Sequence, residues 1–326
     1  MKTIILIGYA AIAHCVLAAA ASGAADSYPQ RPLRFIVPFP PGGANDIVAR
    51  LVGPLFTERF GQQVVVDNRP GASGTIALEL TARAQPDGYT FIVGNNTSNA
   101  IVPVMFAKRM RVDPAQELTG ISMLAAIQHV VVAAAKFPPT TFQELVAYAK
   151  SRPGQLNYNA PLGGHPHLDM LAFLAATGTQ MVHIPSKGAG ETVPSLLRGE
   201  AQLSNTNVAS VIGLLRAGQL KAYAITGESR LPELPDVPTF TEVGLKGVGS
   251  INWVGLFAPA KTPPAIINQL HRSIVEMVGD ARLKESSAKL LVPFVASASP
   301  AEFNAFVASE RKRWEDIVKT NQIKLE

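Results

Sequence analysis

Two imidazoles and a carboxylate stand at alternate positions near the middle of the chain: His165, His167 and Asp169, in the stretch GGHPHLD. These are the donor types of a zinc site, and H-x-H-x-D begins a metallohydrolase ligand pattern whose next member is a histidine. Met170 occupies that place, and the chain holds only six histidines. Because zinc needs three or four ligands, the expectation is no metal and no cofactor. A secreted metallohydrolase using His165, His167 and Asp169 is the rival reading. His165 follows two glycines and is a candidate ligand contact, whereas His167 reads as a helix-start residue that packs or bonds locally. Nucleophilic catalysis finds less support. No G-x-S-x-G elbow occurs, Ser186 in PSKGAG has no evident base, and Cys15 is the only cysteine. Lys187, next to Ser186, either attracts an anion or is a solvated surface charge.

The other chemistry on offer is that of the backbone. In RFIVPFPPGGANDIVAR, residues 34–50, an apolar run meets prolines and two glycines, and an amphipathic pattern follows. This reads as strand, stiff turn and helix. It has neither the Lys-Ser/Thr pair of a phosphate loop nor G-x-G-x-x-G. Gly42 and Gly43 let the backbone approach a ligand, and the helix start offers free N–H groups and a partial positive charge suited to a carboxylate. Asp46 caps or staples the turn; a stiff turn that only packs is the alternative for the whole motif. RPGASG, residues 69–74, poses the same choice, with Gly71 and Gly74 permitting tight backbone and Ser73 able to cap. GNNTSN, residues 94–99, ends a third apolar run in small polar side chains. The three segments follow successive strands, so they gather at one sheet edge and describe a small polar-ligand site.

Elements must hold these turns. Short apolar runs at 33–37, 63–67 and 90–94 alternate with helical patterns at 45–60 and 75–84. The middle repeats the grammar: strands at 129–135, 156–159, 182–184, 203–206 and 221–226, and helices at 141–150, 167–176, 192–198 and 208–217. A Pro-rich loop, 231–240, leads to a strand at 253–258 and helices at 264–278 and 300–317. Strands separated by helices predict a parallel α/β sheet. The 326 residues suffice for two lobes with covered cores. A net charge of +5 spread along the chain gives no nucleic-acid stripe. At the N-terminus Lys2 precedes an apolar run and small residues up to Ala25, a secretory signal pattern cleaved after Ala25 or Ala21, with an uncleaved anchor as the alternative. Cleavage removes Cys15, so the mature chain can form no disulfide and has no cysteine nucleophile.

The segments YPQRPLRFIVPFPPGGANDIVAR, GQQVVVDNRPGASG, PDGYT, LPELPDVPTFTEVG and WVGLFAPAKTP occur in order across the mature chain. Together they resemble the solute receptors of tripartite tricarboxylate transporters, the TctC or Bug family. The resemblance implies an α/β fold of the type II periplasmic binding kind: two lobes joined by two crossovers, with the ligand cleft between them. The lobes would take 26–127 and 224–326 for the first and 128–223 for the second, after a signal peptide at 1–25. It implies ligand contacts at Phe39, Pro40, Gly42 and Gly43 with Asp46, at Gly71, Ala72 and Ser73, and at Thr97 and Ser98. From the second lobe it implies Gly164, His165, Lys187, Asn205 and Thr206. Two positions depart from the family pattern: Ser186 stands where an aromatic is common, and Thr206 where an Asp can hold an amino group. The implied protein is a monomeric periplasmic receptor, with no nucleic-acid partner and no enzymatic activity. It would capture a dicarboxylate or aromatic acid and deliver it to membrane permease subunits; a sensor without its own permease is the other receptor reading.

Overall fold

The first apolar run is buried at four of its five positions, the pattern of a central strand covered on both faces. In the computed structural model, which describes residues 28–246 and 248–320, this run is β1, Leu33–Val37. It pairs in parallel with β2, Val64–Asn68, and β3, Thr90–Asn95. Helix α1, Ala44–Phe60, makes the first crossover and α2, Thr75–Ala82, the second. The signal segment, with Lys2 and Cys15, lies outside the described residues.

The strand–helix alternation predicts a parallel sheet, but the sheet is mixed. A strand from late in the chain, β10 (Asn252–Pro259), runs antiparallel between β3 and β4, Leu118–Ile127. The order is β2-β1-β3-β10-β4. The second lobe is also mixed. Its central strand β5, His129–Ala134, pairs antiparallel with β8, Ser204–Asn207, and β9, Leu220–Ile225. Strands β6, Asn157–Ala160, and β7, Val182–Pro185, pair in parallel, and a bridge from Tyr158 to Leu203 joins them to the chain entering β8. The helices here are α3, Phe142–Lys150, with the Thr141–Glu144 capping box, α4, His165–Thr177, α5, Ala189–Arg198, and α6, Val208–Arg216.

The chain passes between lobes twice. Gln128 alone separates β4 from β5. The return differs from the expected start at 224. Ile225 still belongs to β9, its N–H bonds Pro238 O at 2.9 Å, and Phe240 and Leu245 lie in the second lobe's core. The Pro-rich segment therefore runs on into the second lobe, where Phe240 is buried in the core, and the crossing comes just before β10. Helices α7, Pro264–Val278, α8, Ala281–Leu290, and α9, Pro300–Thr320, close the first lobe. Trp253 and Trp314 are buried in one apolar cluster there, packing side chains as their size predicts. Among the described residues no helix is long and apolar enough to cross a membrane.

Candidate ligand cleft

The turns after β1, β2 and β3 and the starts of the second lobe's helices face each other across a closed cleft. Ser73 Oγ donates to Leu162 O at 2.6 Å, Ser210 Oγ donates to Gly42 O at 2.6 Å, and the His165 N–H donates to Thr97 Oγ1 at 3.0 Å. The lobes also meet at Gly190, where an added Cβ would sit 2.5 Å from Pro41 O. Two adjoining cavities remain between the lobes and share Phe39 and Pro161. The outer one, about 380 Å³, is lined by Gly71, Ala72, Ser73, Phe106, Met110 and Leu162, with Arg109, Ser186 and Lys187 as its polar side. The inner one is narrower, about 50 Å³.

Four helices begin at the inner cavity. Gly43 and Ala44 of α1, His165 and Pro166 of α4, Gly188 and Ala189 of α5, and Asn207 before α6 all line it. Each helix start carries the positive end of the macrodipole, although in α4 the His165 and His167 N–H groups are already bonded, to Thr97 Oγ1 and Gly164 O, and Pro166 has none. No Lys, Arg, Asp or Glu is among the lining residues; the polar side chains there are amides, hydroxyls and imidazoles. Asn45 Nδ2 donates to Val93 O at 2.7 Å, and Asn95 Nδ2 donates to Asn45 Oδ1 at 3.0 Å, so that wall is braced. Such a cavity offers donors fixed in place to an anion and excludes a competing carboxylate from its surface.

Below the cavity lies a buried cluster. Asp169 Oδ2 is 3.1 Å from His165 Nε2, accepts from Asn205 Nδ2 at 3.2 Å and accepts from the Ser250 N–H at 3.3 Å. The His165 Nε2 also meets Ser250 Oγ at 2.6 Å. The rings of His129 and His165 are 4.5 Å apart. Burial, then the neighbouring His165, pushes the His129 pKa well below 6.5, so His129 is neutral at physiological pH.

Ten of the expected contacts line the cavities: Phe39, Gly43, Gly71, Ala72, Ser73, Thr97, His165, Lys187, Asn205 and Thr206. Five stand behind the walls. Asp46 accepts from the Gly42 N–H, Arg50 Nε and Asn68 Nδ2, all near 3.0 Å; it staples the turn, its oxygens already taken. Gly42, with φ +83°, supplies the left-handed bend that this staple needs, and Pro40 stiffens it. Ser98 is fully buried, accepting from the Asn95 N–H and donating to Asn99 Oδ1. Gly164 caps α4 and leaves room for Thr97. Lys187 is exposed and 3.4 Å from Glu191, a solvated pair at the outer rim.

His167 does not join His165. Its Nδ1 accepts from the Gly163 N–H at 3.0 Å and its ring stacks on His183 at 3.9 Å, the local packing expected of it. Burial, then His183, pulls its pKa down to about 4. Positions i and i+2 of a helix point roughly 200° apart, whereas i and i+4 share a face. The third member of the His165–Asp169 cluster is instead His129, from another strand. Sequence reasoning missed it, along with Asn252 and Arg109; its only signal was a histidine opening an otherwise apolar strand.

Residues 48–323 match the family model described as tripartite tricarboxylate transporter family receptor. The chain is 34% identical over 309 residues to Protein BugT of Bordetella pertussis, covering 94% of each chain. Among solved structures it superposes on R. palustris Rpa4515 with adipate at TM-score 0.87, 31% identical, covering 91% of this chain and 99% of that one. It superposes on MatC from Rhodopseudomonas palustris with bound malate at TM-score 0.83, 29% identical, covering 89% of this chain and all of the other.

Proposed function

Because the chain belongs to the tripartite tricarboxylate transporter family of receptors, whose members are binding proteins and not enzymes, we propose that it captures a non-amino organic carboxylate in the periplasm. The observation that carries this reading is the convergence of four helix N-termini on a cavity without acidic lining. A carboxylate there accepts from fixed N–H donors and gains from four aligned dipoles, each worth roughly 0.3–1 kcal/mol. An amide of the same shape has no charge to gain from them. The relatives with adipate and malate support an acid with two carboxylates. The outer cavity's apolar wall has room for the body of a dicarboxylate or an aromatic ring. Thr206, buried in the inner wall, presents a hydroxyl rather than a charge, which disfavours a ligand ammonium.

Binding works through closure. The inner cavity takes Asn45 and Thr97 from one lobe and His165, Asn205 and Thr206 from the other, so the full set of contacts exists only when the lobes meet. The acid therefore favours the closed form by its differential affinity. The closed monomer then hands its acid to membrane permease subunits, after export by a cleaved signal peptide. The test is a thermal-shift screen of dicarboxylic and aromatic acids, followed by calorimetry of the best acid against its amide. Tighter binding of the acid is expected; equal binding of the amide refutes the anion site.

A further inference from the structure

The buried cluster beneath the cleft has an unspent donor set. Nδ1 of His129 and of His165, and Oδ1 of Asn205 and of Asn252, are buried with no hydrogen-bond partner among the described residues. All four residues also line the inner cavity. Leaving several polar atoms unpaired in one small region is costly.

We propose that this cluster is a binding site for a divalent transition-metal ion of the zinc class, held by His129, His165 and Asp169 at the floor of the cleft. The argument rests on donor type and geometry. Ligand atoms of the three residues lie within 4.8 Å of one another. His165 Nε2 and Asp169 Oδ2 are 3.1 Å apart. Two atoms bonded to one ion at about 2.1 Å are separated by roughly 3.0–3.4 Å across octahedral to tetrahedral angles, so this pair has the spacing, and an ion there would replace the contacts that His165 Nε2 now makes with Asp169 and with Ser250 Oγ. Two imidazoles and one carboxylate suit zinc, cobalt and nickel better than calcium or magnesium. Asn205 Nδ2 donates to the carboxylate at 3.2 Å, an orienting partner outside the ligand set.

The site deepens the carboxylate reading and rests on it. Four helix N-termini favour an anion and oppose a lone cation, while the inner wall has no Lys or Arg to neutralise an acid. Ion and acid therefore relieve each other, and each strengthens the binding of the other by the same factor. The receptor would take its acid as a chelate. His129 and Asp169 serve the ion, leaving the helix starts for the carboxylate.

The experiment uses the tag-free full chain freed of metal by chelator. Cobalt(II) alone is titrated by visible absorption and calorimetry, then again with adipate and with malate present. One ion per chain is expected, with ligand-field bands in the visible and tighter binding when an acid that the protein accepts is present. Asp169→Asn and His129→Gln should each weaken cobalt about tenfold or more, with the fold of each metal-free variant checked by its thermal melt. If either variant misfolds, the other carries the comparison, and displacement of cobalt by zinc in the wild type is the further check. Absence of stoichiometric cobalt in every arm overturns the site, as does binding that survives both substitutions. Acid titrations in chelator are read separately: acids that bind there while cobalt does not refute the ion and leave the receptor intact. Cobalt bound with no acid of the screen accepted would instead remove the carboxylate reading.

Discussion

Replacing Gly190 by alanine separates lobe closure from folding. Gly190 is the second residue of α5, and a Cβ built on it meets Pro41 O at 2.5 Å and Pro40 Cβ at 3.1 Å, both from the opposite lobe. The nearer atom is a backbone carbonyl in a Pro-stiffened turn, so no side-chain rotation relieves it. Overpacking of this kind costs about 1–3 kcal/mol. The cost falls only on the closed form, because opening the lobes removes the contact. Every 1.4 kcal/mol is tenfold in affinity, so acid binding should weaken roughly 5- to 150-fold. The ligand-free protein should melt no lower, since alanine is the better helix former. Calorimetry with the preferred acid gives the first quantity and a thermal scan without ligand gives the second. Small-angle scattering should show the wild type contracting on saturation at an acid concentration that leaves the variant open. Wild-type affinity in the variant, or an affinity loss matched by a fall in the ligand-free midpoint, would show that this contact does not report closure.

Thr206→Asp places a carboxylate in the inner wall beside the bound anion and should weaken the preferred acid about tenfold or more, the scale of a charge-assisted interaction; unchanged affinity by calorimetry would remove Thr206 from the site. Asp46→Asn should lower stability by about 1–3 kcal/mol in urea unfolding at neutral pH, because a charged acceptor shared by Gly42, Arg50 and Asn68 is lost. Burial alone would raise the Asp46 pKa, but the bonds from Arg50, Gly42 and Asn68 hold it below 3.8, so its stabilisation is present above 3.8 and is lost as the pH falls through the lower folded value. The difference between wild type and Asp46→Asn should therefore shrink in that acid range, and a constant difference would deny the staple its charge. Mass spectrometry of a periplasmic extract should find a mature N-terminus between Ser22 and Tyr28; an intact Met1 chain in the membrane fraction would refute cleavage.

What was legible in the sequence depended on how locally it was written. The turn 38–43 could be read because prolines and glycines mark it and an amphipathic helix follows within a few residues. Strand β4 could not: LTGISMLAAI is buried on both faces, shows no alternation, and meets β10 through irregular register. The antiparallel insertion of β10 was equally hidden, because it depends on a chain that leaves the lobe and returns. The same limit governed the site. Histidines two apart looked like a pair in the sequence, yet the helix that starts at His165 sends them to opposite sides. His165 and Asp169 are one turn apart and meet, and His129 reaches them from β5, a strand far away in sequence, its ring 4.5 Å from that of His165.

The place of that cluster in the chain explains how a small ligand can govern two large bodies. His129 follows Gln128, the single residue of the first crossover, and its N–H donates to Thr226 Oγ1 at 2.8 Å, just after β9. Gln128 Nε2 donates to Thr226 O at 2.6 Å, tying the first crossing strand to the start of the second connection. Ser250 and Asn252 end that connection, and Ser250 is held by Asp169. Both crossings thus run past the same few polar side chains that floor the cleft. A ligand on the floor touches residues whose backbone must move when the lobes part, whereas one held only at the outer rim, among Phe106, Met110 and Lys187, touches none of them. Rim contacts add affinity and selectivity. Closure has to be driven from the floor, which is where the fixed donors, the unpaired imidazoles and the hinge coincide.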